Sequence, residues 1–216
     1  MAKSGASLPP PAGPLNATLI SWGSGRQLHR IHDATYPANS FNPSPRGNAR
    51  FSPIYDTSSG IIPTLYAGTT EDCALMETIF HDVPFQAGFK PLSLSKIIGK
   101  VHSRLVLKSD LLLVDLSTIA LRKLGVKRVQ LIDTTKTHYP QTRKWAEALY
   151  AEFADAQGLR WTSRQDDQAN SILLFGTRVS SSHLAIDGPS TPALVEGIAS
   201  AAIINLAIRL GVTLVD

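Results

Sequence analysis

The stretch between Tyr66 and Glu77 holds the residues whose types and spacing could best do chemistry. An apolar run that ends at Tyr66 predicts a short strand, which Gly68 breaks. The two threonines that follow can cap a helix, and an acidic pair suits its positively polarised first turn. We expect this helix to include Ile79 and Phe80 on its apolar face, with Glu77 at the edge of that face.

A tight turn would bring the strand-end aromatic ring of Tyr66 close to the carboxylate of Glu77. Such a pair suits a site that stabilises a developing positive charge. Taken alone, the pattern also fits a solvated glutamate on an ordinary amphipathic helix, and a strand-end tyrosine that belongs to the core.

Three other segments surround this pair in the sequence. They are Leu28-His29-Arg30-Ile31, the segment 46–53 with Arg50-Phe51-Ser52, and the segment 158–164 with Ser163. In this order, and with Tyr66 and Glu77, they resemble the RES domain family over roughly residues 26 to 180. The resemblance implies a fold like that of the ADP-ribosyltransferase toxins, consumption of NAD, and often the role of toxin in a toxin–antitoxin pair.

Two positions differ from the usual pattern of the family. An aromatic residue, commonly Tyr, tends to precede the first Arg, whereas this chain has His29. The Arg-Trp-Asn often found in the middle segment is Arg50-Phe51-Ser52 here. Both differences bear on contacts at the nicotinamide side of the site.

The resemblance assigns roles that fit the chemistry of NAD cleavage. Nicotinamide leaves as a neutral base, and the ribose becomes an oxocarbenium-like cation that a fixed carboxylate, here Glu77, can stabilise. Guanidinium groups match pyrophosphate oxygens, which suggests Arg30 and Arg50. Tyr66 could face the nicotinamide ring. Ser163 could bond a ribose hydroxyl or Glu77 itself.

Several of these residues also have plainer interpretations. Arg30 could be an ion-pair partner on a strand, and Arg50 could lie in a solvated surface loop. Ser163 is the weakest candidate, because Ser171 lies nearby and is an alternative site serine. His29 and His32 are three residues apart, which places them on opposite faces of a strand, so we predict no metal site.

The composition limits the class of protein. With 216 residues and 43% hydrophobic content, the chain is expected to form one domain with extensions. The net charge of +4 suits an anionic small molecule or an acidic partner, but the basic residues are scattered, so nucleic acid is not expected. A single cysteine and the lack of a signal peptide or membrane span predict a cytoplasmic protein.

The patterns predict a single α+β domain of ADP-ribosyltransferase-like shape, with mixed sheets and flanking helices. We expect a flexible arm over residues 1–25, the NAD-binding domain over 26–190, and an apolar helix and strand over 191–216. An all-round apolar helix there should be buried, either on the domain or against a second copy in a homodimer. The runs 97–107 and 111–116 predict a hairpin or adjacent strands, and 140–156 predicts a helix.

Together these interpretations predict an enzyme that cleaves the nicotinamide–ribose bond of NAD. The acceptor could be water, phosphate or a protein side chain, which would make it a glycohydrolase, a phosphorylase or an ADP-ribosyltransferase. The family's toxin role implies a cognate Xre-type antitoxin. The alternative is a catalytically silent NAD-binding or protein-interaction module of the same fold.

Overall fold

The computed structural model describes residues 7–216, which form fifteen strands and five α-helices. The strands are β1 (Thr18–Trp22), β2 (Gln27–Asp33), β3 (Ile54–Tyr55), β4 (Ile61–Ile62), β5 (Thr64–Gly68), β6 (Pro91–Ser93), β7 (Lys100–Leu107), β8 (Leu111–Asp115), β9 (Gly158–Thr162), β10 (Asn170–Phe175), β11 (Leu184–Ile186), β12 (Thr191–Pro192), β13 (Leu194–Val195), β14 (Ile198–Ala199) and β15 (Thr213–Val215). The helices are α1 (Glu71–Met76), α2 (Thr118–Leu124), α3 (Arg128–Leu131), α4 (Tyr139–Glu152) and α5 (Ala201–Leu210).

One large mixed sheet forms the centre of the molecule. Its order is β1-β8-β9-β10-β5-β2-β7-β11, and β12 also pairs with β7. Neighbouring strands are antiparallel except β8 and β9, which are parallel. Helices flank this sheet, so the prediction of a single α+β domain with mixed strands is confirmed.

The prediction that the runs 97–107 and 111–116 form a hairpin or adjacent strands is wrong. These runs contain β7 and β8, which lie five positions apart in the sheet, or about 24 Å at normal strand spacing. The link from Leu107 to Leu111 can span only about 14 Å. The sheet must therefore curl, so that the end of β7 comes close to the start of β8. The short link between them is a bend that joins two distant strands of the sheet, and not the turn of a hairpin.

The curled sheet has a different apolar core on each side. The enclosed side is filled by residues from most of the strands, among them Trp22, Leu28, Leu105 and Ile172. The outer side is covered by helices in two groups. One group is α2–α4, and the other is α1 with α5.

The prediction of a flexible arm over residues 1–25 is wrong for the part that the structure describes. Strand β1 pairs with β8 along its whole length. Leu8 is buried in the core beside α4, and the Trp145 indole donates a hydrogen bond to the Pro9 carbonyl at 2.8 Å. Apolar contacts and strand pairing thus hold a segment whose proline-rich composition suggested a free arm. Residues 1–6 lie outside the described part of the chain.

The C-terminal segment closes the second helix group. Helix α5 buries Ile203, Leu206 and Ala207 against α1 and its neighbours, and β15 pairs in parallel with β6. In the single chain this helix is not buried on all sides, because Ile204 and Ile208 are exposed. Within residues 7–216, no helix is long and apolar enough to cross a membrane.

Candidate functional site

The turn between β5 and α1 places Glu77. Thr70 caps α1, and its side-chain oxygen accepts the Cys73 N–H at 3.0 Å. A Cβ built on Gly68 would lie 2.9 Å from the Cys73 sulfur and 3.0 Å from the Ala74 nitrogen, so only glycine fits this approach. The helix is shorter than predicted. It ends at Met76, where the Glu77 N–H caps its last turn.

Beyond Glu77 the chain forms a tight turn in which three amides converge on one carbonyl. The N–H groups of Thr78, Ile79 and Phe80 all donate to the Leu75 carbonyl, and the bond from Phe80, which lies five residues further on, departs from the helical pattern. Ile79 and Phe80 are nevertheless buried, as the apolar pattern predicts. A short helix followed by a tight turn therefore sets the Glu77 carboxylate at an edge rather than along a helix face.

Two serines hold the Glu77 carboxylate. Ser163 donates to Oε1 at 2.7 Å, and Ser171 donates to the same oxygen at 3.2 Å. The Ser163 oxygen also accepts the N–H groups of Gln165 and Asp166 at 3.0 and 3.1 Å. Both serines contact Glu77, but Ser163 is fully buried whereas Ser171 lines the cleft.

A cleft of about 390 Å³ lies on the outer side of the sheet, between the two helix groups. Strand register explains which side chains reach it. Tyr66, Ser171 and Trp161 share a face through the pairs Gly68–Ser171 and Ser171–Trp161, and His29 joins them opposite Gly68. The cleft is lined by these residues and by Glu77, Arg30, Arg46, Asn48, Arg50, His81, Asp82, Lys136 and Tyr139, among others.

Tyr66 forms the floor of the cleft. Its hydroxyl oxygen accepts the Phe51 N–H at 2.9 Å, and its ring meets Trp161 edge-on with centroids 6.2 Å apart. Burial raises the pKa of the Tyr66 phenol above its usual range, so the hydroxyl stays protonated. Tyr66 therefore offers an apolar ring and a neutral hydroxyl.

Arg50 lies in the wall of the cleft and is not the surface residue of the plainer interpretation. Only 5% of it is exposed, its Nη1 donates to the Thr134 hydroxyl at 2.9 Å, and its guanidinium lies 5.2 Å from the centre of the Tyr139 ring. Burial lowers the pKa of this guanidinium, while Tyr139 and Glu77 act in the opposite direction. It remains a cation, because arginine is protonated at any physiological pH.

Arg30 braces the loop that follows β2. Its Nη1 donates to the carbonyls of Ala38 and Ser40 at 2.6 and 2.8 Å. Burial lowers the pKa of Arg30 to about 10. Arg30 follows His29 on β2, so its side chain leaves the strand on the opposite face. Strands β2 and β5 pair only at His29–Gly68 and separate beyond that pair, and there the Arg30 side chain reaches the cleft. It makes no ion pair with a described residue.

Several cleft residues were missed by sequence reasoning. At the rim, Lys136 and Asp82 form an ion pair at 2.8 Å. Nearby, the His81 Nε2 lies 3.3 Å from the Tyr139 hydroxyl. His81 follows Glu77 by four residues, and this helical spacing was the signal available for it.

The histidines considered as metal ligands have other partners. His29 lies 3.0 Å from His102, ring nitrogen to ring nitrogen, and His32 lies 2.8 Å from the Ser103 hydroxyl. No group of three or more potential metal ligands occurs among the described residues.

Comparison with known proteins adds two findings. The family model described as "RES domain" matches residues 27–194. The chain belongs to the RES domain family. This RES domain also shares its fold with a chain in the crystal structure of the M. tuberculosis MbcT–MbcA toxin–antitoxin complex, with 16% identity and a TM-score of 0.54. The match covers 82% of this chain and 89% of that chain. No curated protein matches the sequence.

The RES domain thus combines three kinds of group in one cleft. A carboxylate is held by two hydroxyl groups, an aromatic floor lies beside it, and buried guanidinium groups form the wall. Such a set can bind a ligand that has a planar ring, an anionic part and a centre that becomes cationic.

Proposed function

We propose that this RES domain cleaves the bond between nicotinamide and ribose in NAD, and that it is the toxin of a toxin–antitoxin pair. The observation that carries the proposal is the fixed Glu77 carboxylate. Ser163 and Ser171 both donate to Oε1, whereas Oε2 has no hydrogen-bond partner among residues 7–216. Oε2 is therefore available to a substrate.

Glu77 would act on the transition state more than on bound NAD. As the glycosidic bond lengthens, positive charge develops on the ribose, and an anion already in place stabilises it without reorganising. The electron pair of the broken bond neutralises the nicotinamide ring, so the leaving group needs no proton. The two serine hydroxyls keep the carboxylate oriented during this change.

The remaining groups would bind the substrate. Arg50 and Arg46 lie on one side of the cleft and suit the pyrophosphate. Tyr66 and Trp161 offer apolar rings for the nicotinamide end. Arg30 would contribute chiefly by holding the loop that borders the cleft, since its Nη1 is bonded to two backbone carbonyls.

Nicotinamide release from NAD, followed by chromatography, tests the activity. Glu77→Gln keeps the size of the side chain but removes its charge, and it should lower kcat by about 10²–10³-fold. Asp155→Asn is the matched control, because Asp155 is exposed and outside the cleft. Equal rates in Glu77→Gln and wild type would disprove the assignment. NAD binding by the wild type without release would favour the silent module.

The acceptor is tested in the same assay. Addition of phosphate should yield ADP-ribose 1″-phosphate if the enzyme is a phosphorylase, and free ADP-ribose if water is the acceptor. Transfer to protein would instead leave a labelled polypeptide when labelled NAD is used. Each product has a different mass, so one chromatogram distinguishes the three reactions.

The antitoxin is proposed from the neighbouring structure, which is a toxin–antitoxin complex. A partner that covers the cleft would block access of NAD to Glu77. Co-expression with a protein encoded next to this chain should yield a complex that releases no nicotinamide. A co-purified complex with full activity would contradict this inhibitory arrangement.

A further inference from the structure

Three titratable side chains lie in a row that ends in the cleft, each within 3.2 Å of the next. Glu71 Oε1 lies 3.2 Å from His102 Nδ1, and His102 Nε2 lies 3.0 Å from His29 Nδ1. The two imidazole planes are parallel to within 3°, and their centroids are 5.1 Å apart. These values suit an edge-to-edge hydrogen bond between the rings. His29 lines the cleft, whereas Glu71 is partly exposed at the start of α1.

The order of the groups fixes where each proton lies. An ionised carboxylate attracts a nitrogen that carries a proton, so the close contact with Glu71 favours the tautomer of His102 that has its proton on Nδ1. A neutral His102 then has a lone pair on Nε2, and His29 must donate to it from Nδ1. His29 Nε2 consequently carries no proton. It has no hydrogen-bond partner among the described residues, and it belongs to a side chain that faces the cleft.

We propose that His29 is the general base that accepts the proton of the acceptor's O–H group, and that His102 and Glu71 are the positioning residues that keep it ready. This inference rests on the proposed NAD cleavage and adds a residue to it. Glu77 stabilises the cation in that reaction, and His29 prepares the group that attacks the cation. His29 lies on β2 opposite Gly68 at the end of β5, and Glu77 follows α1.

The proposed step balances as follows. A bond forms between the acceptor oxygen and C1′ of the ribose, and the bond between C1′ and the nicotinamide nitrogen breaks. The electron pair of that bond goes to the nicotinamide ring. The acceptor proton moves to His29 Nε2, and the resulting imidazolium is stabilised by its Nδ1–H bond toward His102 and by the Glu71 carboxylate beyond it.

The surroundings of His29 keep it neutral before the reaction. Burial is the largest influence and lowers the pKa of His29 below its usual value of 6.5. From β7, His102 and Arg104 also lower it, and from α1 Glu71 raises it. The strand on the other side, β5, presents Gly68 and adds no charge. The other charged residues that line the cleft are Arg30, Arg46, Arg50, Glu77, Asp82 and Lys136.

The pH dependence of nicotinamide release tests the role of His29. In the wild type, kcat should be constant above pH 6.5 and fall with unit slope at lower pH, as His29 becomes protonated. His29→Asn should lower kcat at pH 7.5 by about 10²-fold and lose this acid limb. Its KM for NAD should stay within a factor of about two, because the base acts on the acceptor and not on NAD.

Two substitutions in the first turn of α1 form a matched pair. Glu71→Gln removes the carboxylate charge that stabilises the protonated form of His29 through His102, and it should lower kcat about 5-fold. Asp72→Asn is the control, because Asp72 pairs with Arg209 on the surface and touches neither histidine. It should leave kcat unchanged. Equal kcat values for these two variants would overturn the positioning role.

Nitrogen-15 NMR of the histidines gives a readout that does not depend on activity. His29 Nε2 should show the shift of an unprotonated nitrogen, and His29 Nδ1 that of a protonated one. A proton on His29 Nε2, or an acid limb that persists in His29→Asn, would overturn this inference while leaving NAD cleavage intact. A wild type that releases no nicotinamide would overturn both proposals.

Discussion

Ser163→Ala tests whether the carboxylate is held by its hydrogen bonds. The Ser163 oxygen takes part in three of them, one to Glu77 and two from backbone amides, and it is fully buried. A bond to a charged group contributes about 1.5 kcal/mol or more and each of the two neutral bonds about 1, so the free energy of unfolding should fall by about 3.5 kcal/mol.

Ser171→Ala is the internal reference for this prediction. Ser171 makes one longer bond to the same Glu77 oxygen, so its loss should cost about 1 kcal/mol. Urea unfolding followed by fluorescence measures both values. In the nicotinamide assay, Ser163→Ala should lower kcat more than it changes KM, because a misplaced carboxylate mainly loses transition-state contact. Equal losses of stability in the two variants would refute the reasoning.

Three further predictions concern the frame of the site. Arg30→Ala should lower the free energy of unfolding by about 2–3 kcal/mol, because two hydrogen bonds to carbonyls are lost, and it should raise KM for NAD. The control Arg122→Ala changes an exposed side chain and should alter neither quantity. If calorimetry shows unchanged NAD affinity in Arg30→Ala, the role of Arg30 is structural only. Removal of residues 1–13 should lower the free energy of unfolding by about 2 kcal/mol, because it removes the buried Leu8 side chain and the Pro9 carbonyl that accepts from the Trp145 indole. A chain that starts at Ser7 is the control, because it keeps both contacts. Equal melting temperatures of the two chains would disprove this prediction. Burial lowers the pKa values of His29, His32 and His102 in the folded protein, so the unfolded chain binds protons first as the pH falls. The free energy of unfolding should therefore be highest above pH 6.5 and decrease as the pH drops from 6.5 to the lower folded pKa values. A higher melting temperature at pH 5.5 than at pH 7.5 would contradict this direction.

The parts of the site that sequence could predict are close together in the chain. A strand, a glycine turn and a capped helix follow from local residue preferences. The proximity of Tyr66 and Glu77 could therefore be predicted from the sequence. Thr70 caps α1 as expected. The end of the helix was not readable, because it depends on amides that turn back to the Leu75 carbonyl.

The parts that sequence could not predict depend on contacts between distant segments. His29 and His102 are in contact because β2 pairs with β7, and no local sequence pattern predicts which strands pair. The separation of β7 from β8 follows from the curl of the whole sheet, which a three-residue link does not reveal. Strand β1 was concealed by the proline-rich composition around it.

The close approach at Gly68 has a consequence for how this RES domain can vary. A methyl group there would meet α1 at about 3 Å, so the helix would have to move, and Glu77 caps that helix. The carboxylate would then shift relative to Tyr66, although no group that faces the ligand had changed. A substitution at position 68 can therefore weaken the proposed reaction while every side chain that faces the cleft stays the same.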